Sequence, residues 1–550
     1  MTVRKFGIGQ SVRRVEDARL LRGEGRFTAD LVPRGALAAA VLRSPHAHAS
    51  FATPNVAAAR AVRGVRAALT ARDLEHLGDL PCGAPMQDIS GRQMRLPPYP
   101  LLAKDVARHV GDAVALIVAD NEFIARDACE KIEVSYTPFP AAASIDDAMA
   151  PGAAIVWPDF ATNLAFTQEM GDRARCDAIF SRAYRIARVQ IVNNRVCAHY
   201  LEPRAAIGEY DRRHGLFTLT ASTQGVHGVR DILADEVLRI PRDKLRVITQ
   251  DVGGGFGPKA FPYREYALVL EAARVCDAPV AWICDRTEHF LADAHGRDNL
   301  SVAEMAMDAE GRFLALRVDI RADLGAYLSQ FAPYIPWLGV TMATGPYDIG
   351  AFHGRLRAFY SHRPPVDAYR GAGRPEAAYL LERLVDECAR VMALPREEIR
   401  ARNFVPPARM PYKTPTDRTY DVGEFEGAMR RALARANHAT FEGRAREAEG
   451  RGKLRGIGLS SYIECTAWGE GETGAVSLDE DGDFTVFIGT QSNGQGHQTA
   501  YALVVAQALD VDPARVRLLQ GDTARVRTGG GTGGSRSIPV GAAMLAVAAG

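Results

Sequence analysis

The chain has 550 residues, which at roughly 150 residues per domain predicts three to four domains, each able to bury its own core. Hydrophobic residues make up 47% and charged residues 24%, and 67 basic against 66 acidic side chains leave a net charge of +1. That balance excludes a chain shaped by a polyanion such as nucleic acid. The basic residues are mostly arginine and alanine is abundant, which reads as GC-rich coding rather than recognition. Cysteines 82, 129, 176, 197, 276, 284, 388 and 465 form no C-x-x-C pair, so neither a zinc ribbon nor an iron–sulfur cluster has its ligand spacing. They read as reduced thiols. The start of the chain lacks the apolar core of a signal peptide, and no stretch reaches the ~18–20 apolar residues of a membrane span. A cytoplasmic protein is expected.

In chain order, apolar alternation from Ala36 to Arg43, the run Val110 to Ala119, a helical stretch from Glu122 to Lys131 and a strand Ile132 to Tyr136 predict a compact α+β unit to about residue 145. Pro140, Pro151 and Pro158 then suggest a linker over 139–163. A second unit alternates strands Leu216 to Ala221, Leu245 to Thr249 and Val280 to Cys284 with a helix Arg264 to Val275. It closes on an amphipathic helix, Pro375 to Leu394, with Leu380, Leu381, Leu384, Val385, Cys388 and Val391 on one face. Prolines 406, 407, 411 and 415 mark another boundary. The last unit runs strand Phe484 to Thr490, glycine turn, then helix Thr499 to Leu509, and it ends at Gly550 inside an apolar run that reads as an unfinished helix. The predicted domains are 1–145, 146–410 and 411–550.

Three glycine-rich turns stand out: Asp251 to Lys259 (DVGGGFGPK), Gly494 to His497 (GQGH) and Gly529 to Ser537 (GGGTGGSRS). Each lets backbone N–H groups approach a ligand and opens onto a predicted helix, an arrangement suited to a large phosphorylated cofactor. A Rossmann site fits poorly. In G-x-G-x-x-G the third glycine is Pro258 in the first turn and Thr499 in the second, and the third turn lies about ten residues past its strand. Neither G-x-S-x-G nor G-x-x-x-x-G-K-[ST] occurs.

These residues resemble the molybdopterin-binding large subunit of the xanthine dehydrogenase, aldehyde oxidase and aerobic carbon monoxide dehydrogenase family. The resemblance rests on Ile8 to Asp17, Leu21 to Asp30, Arg43-Ser-Pro-His-Ala-His, Leu201-Glu-Pro-Arg, Ser222-Thr-Gln, Gly253 to Lys259, Ala368 to Glu376, Gly494 to His497 and Gly533 to Ser537, in the family's order and spacing. It implies an α+β fold: a small hammerhead-type α/β domain, then two large mixed α+β molybdopterin-binding domains, the last incomplete. The implied cofactor is molybdopterin with molybdenum, in the cytosine dinucleotide form. Gln224 matches the glutamine that hydrogen-bonds an oxo ligand of the metal, and Gly255, Phe256 and Gly257 match the turn beside it. Arg370 matches a residue that contacts cofactor and lines the substrate pocket, Gln495 a cofactor-contacting glutamine, and Gly534, Ser535 and Ser537, next to Thr532 and Gly533, the loop around the dinucleotide. The resemblance implies that the pterin dithiolene holds the metal, so none of these residues need bind it directly.

The implied reaction is hydroxylation of an electron-poor C–H carbon with oxygen derived from water. Electrons leave through iron–sulfur clusters and FAD on partner chains, an iron–sulfur small subunit and a flavin medium subunit, in a dimer of heterotrimers. The carbon monoxide enzymes carry a copper-binding cysteine in the loop that here reads Tyr369 to Arg374, and purine oxidisers carry a glutamate and a bulky aromatic where this chain has Ala260 and Ala372. An aldehyde or nitrogen heterocycle is therefore expected. The family's general base, a glutamate in a glycine-rich segment, is expected beyond Gly550, so the rival reading is a non-catalytic cofactor-binding or assembly fragment lacking that glutamate. Other tempting residues read as structural: His46 and His48, Glu202 as an ion pair with Arg204 or a neighbouring domain, Cys388 in the core, Asp421 and Glu424 at a helix start, and His497 beside the cofactor loop rather than as a base.

Overall fold

A computed structural model describes residues 7–469 and 471–550. The strand Ala113–Ala119 is buried along its whole length because both of its faces are apolar. Leu116 and Val118 enter the main core, while Ala115, Ile117 and Ala119 meet Ala125 and Ala128 of the helix Glu122–Cys129. It lies in a seven-stranded sheet ordered Leu245–Ile248, Leu216–Ala221, Ala205–Asp211, Val280–Ile283, Leu37–Arg43, Ala113–Ala119, Val65–Leu69. Leu37 pairs in parallel with Val280, so the sheet runs unbroken from the N-terminal segment into the region beyond residue 200. A cut near residue 145 would leave the two parts sharing one ladder. The strand expected over 132–136 starts later: Glu133 makes a single bridge to Asn55, and pairing resumes at Tyr136–Pro138.

The expected linker over 139–163 is packed. Its apolar side chains are spaced between the prolines so that Ala142, Ile145 and Ala148 are buried, and Trp157 donates from Nε1 to Ala326 O at 2.8 Å. Ser144 caps the helix Ile145–Met149 by accepting from Asp147 N.

A five-stranded sheet follows, ordered Leu164–Gly171, Ala351–Tyr360, Phe313–Gly325, Asn299–Met307, Arg185–Asn193. The helix Arg374–Met392 packs on its Arg185–Asn193 edge through the predicted face, with Cys388 buried and Val391 half-buried. After the hairpin of Tyr412–Lys413 with Thr419–Tyr420, Glu424 caps the helix Phe425–Arg435. The last region is a three-stranded sheet of Gly474–Leu478, Phe484–Ile488 and Val516–Leu519, backed by the helices His497–Leu509 and Ala543–Ala549.

An N-terminal strap ties these regions together. Ile8 N donates to Gln507 Oε1 at 2.9 Å, Val15 N to Thr499 Oγ1 at 2.9 Å, and Arg19 Nη1 to Asp251 Oδ2 at 2.6 Å. Among the described residues all cysteines are free thiols, and no helix is long and apolar enough to cross a membrane.

Candidate active-site cavity

The three glycine turns meet around one cavity of about 1010 Å³. The first turn is forced by its backbone. Phe256 has φ 54° and Gly257 φ 116°, and a Cβ on Gly257 would lie 2.2 Å from Ala368 O. Only glycine lets this turn seat against the Ala368–Gly373 loop, and Arg370 N then donates to Phe256 O at 2.7 Å. The third turn also makes a close approach, to Gly225, where an added Cβ would sit 2.7 Å from Gly531 Cα.

Gln224 joins these turns. Its Oε1 accepts from Gly257 N at 2.7 Å and its Nε2 donates to Thr532 O at 2.9 Å. Its own N–H donates to Lys259 O at 2.8 Å, and its carbonyl accepts from Thr532 N at 2.6 Å. The side chain is thereby held against the cavity with its orientation set, and Nε2 keeps a second N–H beyond the one given to Thr532.

Gly255, Phe256, Gly257, Ala260, Arg370, Ala372, Gln495, Gly534 and Ser535 also line the cavity with Gln224. The guanidinium of Arg370 lies 5.7 Å from the centre of the Phe256 ring. Gln495 donates from Nε2 to Gln491 O at 3.3 Å and accepts from Asn493 N. Ser537 departs from the set. It is not a lining residue; its Oγ lies 3.0 Å from Thr532 Oγ1 and its carbonyl accepts from Tyr501 Oη, so it braces the turn from behind because the chain has already entered the helical turn Ser537–Ala542.

Several contributors carry no local sequence signal. Phe331 and Trp468 meet edge-on at the cavity with ring centres 5.6 Å apart, and Tyr334, Ile335 and Leu338 extend this apolar wall. Glu464 is the one carboxylate lining the cavity among the described residues, and Arg374 pairs with it at 2.9 Å. Burial pushes its pKa up while Arg374 pulls it down, and the net direction is up. Arg536 is buried beneath the third turn, 2.7 Å from Glu472, which also accepts from Gly530 N at 3.2 Å. His497 is pushed by burial to about 4, so it is neutral, and its Nε2 lies 2.9 Å from Gln495 Nε2.

Glu202 pairs with Lys259 at 2.8 Å rather than with Arg204, and its other oxygen reaches Thr28 N of the N-terminal region at 3.3 Å. Arg204 is taken by Asp293 and Glu265 at 2.7 and 2.9 Å. His48 lies against His362 with ring centres 4.1 Å apart and the rings tilted by 31°. Among the described residues no group of three or more His, Cys, Asp or Glu converges as a metal site. The donor set fits a large organic cofactor: side-chain amides, guanidinium groups, and backbone approached through glycine.

Family models match along most of the chain. A molybdopterin cofactor-binding domain model covers residues 156–404, a second covers 431–550, and the hammerhead domain model of aldehyde oxidase and xanthine dehydrogenase covers 22–140. The chain is 32% identical to the carbon monoxide dehydrogenase large chain of Hydrogenophaga pseudoflava, over 97% of this chain and 69% of that one. It is 31% identical to the nicotine 6-hydroxylase large subunit of Paenarthrobacter nicotinovorans, over 96% and 66%. Quinoline 2-oxidoreductase from Pseudomonas putida 86 superposes with a TM-score of 0.91 at 34% identity, covering 98% of this chain and 70% of that one. The fold and the matching family models define a molybdopterin-binding chain of the α+β class, with a hammerhead domain ahead of cofactor-binding domains. The chain belongs to the xanthine dehydrogenase, aldehyde oxidase and aerobic carbon monoxide dehydrogenase family of molybdopterin-dependent oxidoreductases.

Proposed function

We propose that this chain is the large subunit of a molybdenum hydroxylase that oxidises an aldehyde or an N-heterocycle at an electron-poor C–H carbon, with oxygen from water. The observation that carries the reading is the single cavity in which Gln224, the turn at Gly255–Gly257, Arg370 and the turn at Gly530–Ser535 face an apolar wall of Phe331, Tyr334 and Trp468. When bound, molybdopterin supplies the two-electron redox centre. Gln224 and Gln495 would hold it by amide hydrogen bonds, Arg370 from the facing loop, and Gly534 and Ser535 through the turn around a cytosine dinucleotide, with Ser537 bracing that turn.

Around that group the chain has three tasks. Gln224, braced by Gly257 and Thr532, presents an N–H donor whose direction is fixed before any ligand arrives. The apolar wall excludes water and orients a flat substrate. Ala260 and Ala372 leave space where purine oxidisers carry a glutamate and a bulky aromatic, and no cysteine is among the lining residues. A purine or carbon monoxide substrate is therefore disfavoured, although carbon monoxide dehydrogenases are among the relatives. In the proposed assembly, a cytoplasmic dimer of heterotrimers, iron–sulfur and flavin subunits take the electrons; the relatives' descriptions as a large chain and a large subunit support such partners.

One observation favours a second reading. Glu464, the one carboxylate lining the cavity among the described residues, is held in an ion pair by Arg374, which leaves no unpaired lining carboxylate to serve as general base, as in a chain that binds cofactor without catalysing the reaction itself. The test is to measure molybdenum, released cytidine nucleotide and turnover of aldehydes and N-heterocycles in the purified complex. Stoichiometric metal and nucleotide with turnover supports the first reading, and the same without turnover supports the second. A metal-free, nucleotide-free protein carrying flavin would refute both.

A further inference from the structure

Arg297 lies outside the cavity yet holds one of its walls. Its Nη1 donates to Tyr369 O and its Nη2 to Arg370 O, both at 2.7 Å, and its Cζ sits 4.8 Å from the centre of the Tyr369 ring. The loop it grips needs such support, because Gly371, Ala372 and Gly373 follow one another with φ of 96°, 49° and 87° and form no ladder. Within the loop, Ala372 N donates to Tyr369 O at 2.8 Å, and outside it Arg370 N reaches Phe256 O at 2.7 Å.

The platform under Arg297 is also distorted and well anchored. Arg297 and Asp298 both have left-handed backbones, φ 63° and 73°. Gly296 exchanges hydrogen bonds with Val196 on one side, and on the other Asp298 pairs with Arg363 at 2.9 Å and takes Arg195 Nε. A conformation unfavourable for two consecutive non-glycine residues persists only where its surroundings fix it, and such places cluster at functional sites. The turn aims a planar guanidinium, whose fork matches two consecutive carbonyl oxygens as an ammonium cannot.

We propose that Arg297 is a positioning residue for the substrate-facing loop Ala368–Gly373: by bonding the carbonyls of Tyr369 and Arg370 together, it sets where Arg370 and Ala372 stand in the cavity. This rests on the reading that the cavity is the substrate site. Arg297 also pairs with Glu376 at 3.2 Å, which suggests a simpler, purely structural role as half of a buried ion pair. The two roles separate by substitution. Arg297→Lys keeps the charge for Glu376 but offers one nitrogen to two carbonyls, whereas Glu376→Gln removes the ion pair and leaves the fork.

The experiment uses the full-length complex and reads amide hydrogen exchange at Arg370 and Ala372, with KM and kcat measured separately. Arg297→Lys is expected to speed exchange at both amides by about tenfold and to raise KM by about tenfold, the loss of one of two charge-assisted bonds. Glu376→Gln is expected to leave both unchanged. Arg297→Gln, with one remaining donor group and no charge, is the second variant and should behave as Arg297→Lys does. Wild-type exchange and KM in Arg297→Lys, or the same defects in Glu376→Gln, would overturn the proposal. The cavity reading fails separately, if Arg370→Ala leaves KM and kcat untouched for every substrate turned over; the exchange result stands either way.

Discussion

The ammonium of Lys259 lies 2.8 Å from the carboxylate of Glu202 and 4.4 Å from the centre of the Tyr200 ring, and the same Glu202 oxygen accepts from Gly253 N at 2.8 Å. One carboxylate thus closes both ends of the cavity turn. Burial pushes the Lys259 pKa below the usual lysine range while Glu202 pulls it back up. Removing the partner strands a buried charge, so Glu202→Gln should destabilise the protein by roughly 3–5 kcal/mol, and Glu202→Gln combined with Lys259→Met should recover part of that loss. Denaturant unfolding of both variants is the check.

Gln224→Glu preserves the acceptor for Gly257 N but sets an anion against Thr532 O, where the amide donates. Activity should fall on the order of 10²-fold, the usual scale for losing one aligned donor. Gln224→Ala, which removes the donor without adding repulsion, should retain more cofactor than Gln224→Glu. Molybdenum content measured beside kcat tells loss of cofactor from loss of rate.

Asp367 accepts from Phe331 N at 2.9 Å and from Ala368 N at 2.6 Å, tying the apolar wall to the Ala368–Gly373 loop. Burial pushes its carboxyl up from 3.8 to about 6, against the Ser329 hydroxyl and those two amides. A raised acid holds its proton in the folded state over a pH range where the unfolded chain has released it. Its ionisation therefore lowers stability as pH climbs from 3.8 to about 6. Asp367→Asn should become more stable relative to wild type by roughly 2–3 kcal/mol across that window. Parallel unfolding curves with no change in their separation would contradict this.

Glu265 shows the opposite sign. Burial pushes its pKa up, but Arg204 and Arg43 outweigh burial and hold it down to about 2, from 4.5. Arg43 comes from the N-terminal region and reaches Glu265 at 2.7 Å. This contribution is present above the unfolded value and is lost as pH falls from 4.5 towards about 2. Glu265→Gln should be less stable at neutral pH and should show a shallower acid limb, shortened by roughly 3 kcal/mol, in unfolding followed by circular dichroism.

Local pattern made much of this molecule legible. The strand Leu216–Ala221, the buried face of Arg374–Met392 and the turns at 253–259 and 529–537 all announce themselves in residue spacing, and the structure gathers the turns at one cavity. What stayed hidden depends on partners far away in sequence. The pairing of Leu37 with Val280 fuses the N-terminal segment to the next sheet without any periodic signal. The prolines between 139 and 163 look like a linker until Ile145 and Trp157 find buried seats. Glu202 sits two residues from Arg204, yet its partner is Lys259, because Arg204, at the start of the strand Ala205–Asp211, is taken by Asp293 and Glu265. Spacing reports faces and turns; which charge meets which is settled only when the sheets assemble.

The strap from Ile8 to Arg26 also constrains the order of events during synthesis. Val15 leaves the ribosome 484 residues before Thr499, its hydrogen-bond partner. At roughly 5–20 residues per second, that is a wait on the order of a minute. In that interval the seven- and five-stranded sheets can form and the first cavity turn can close, while the strap holds to Asp251 through Arg19 and Arg26. The wall made by the second and third glycine turns is thus latched from the front of the chain, hundreds of residues after that front was made.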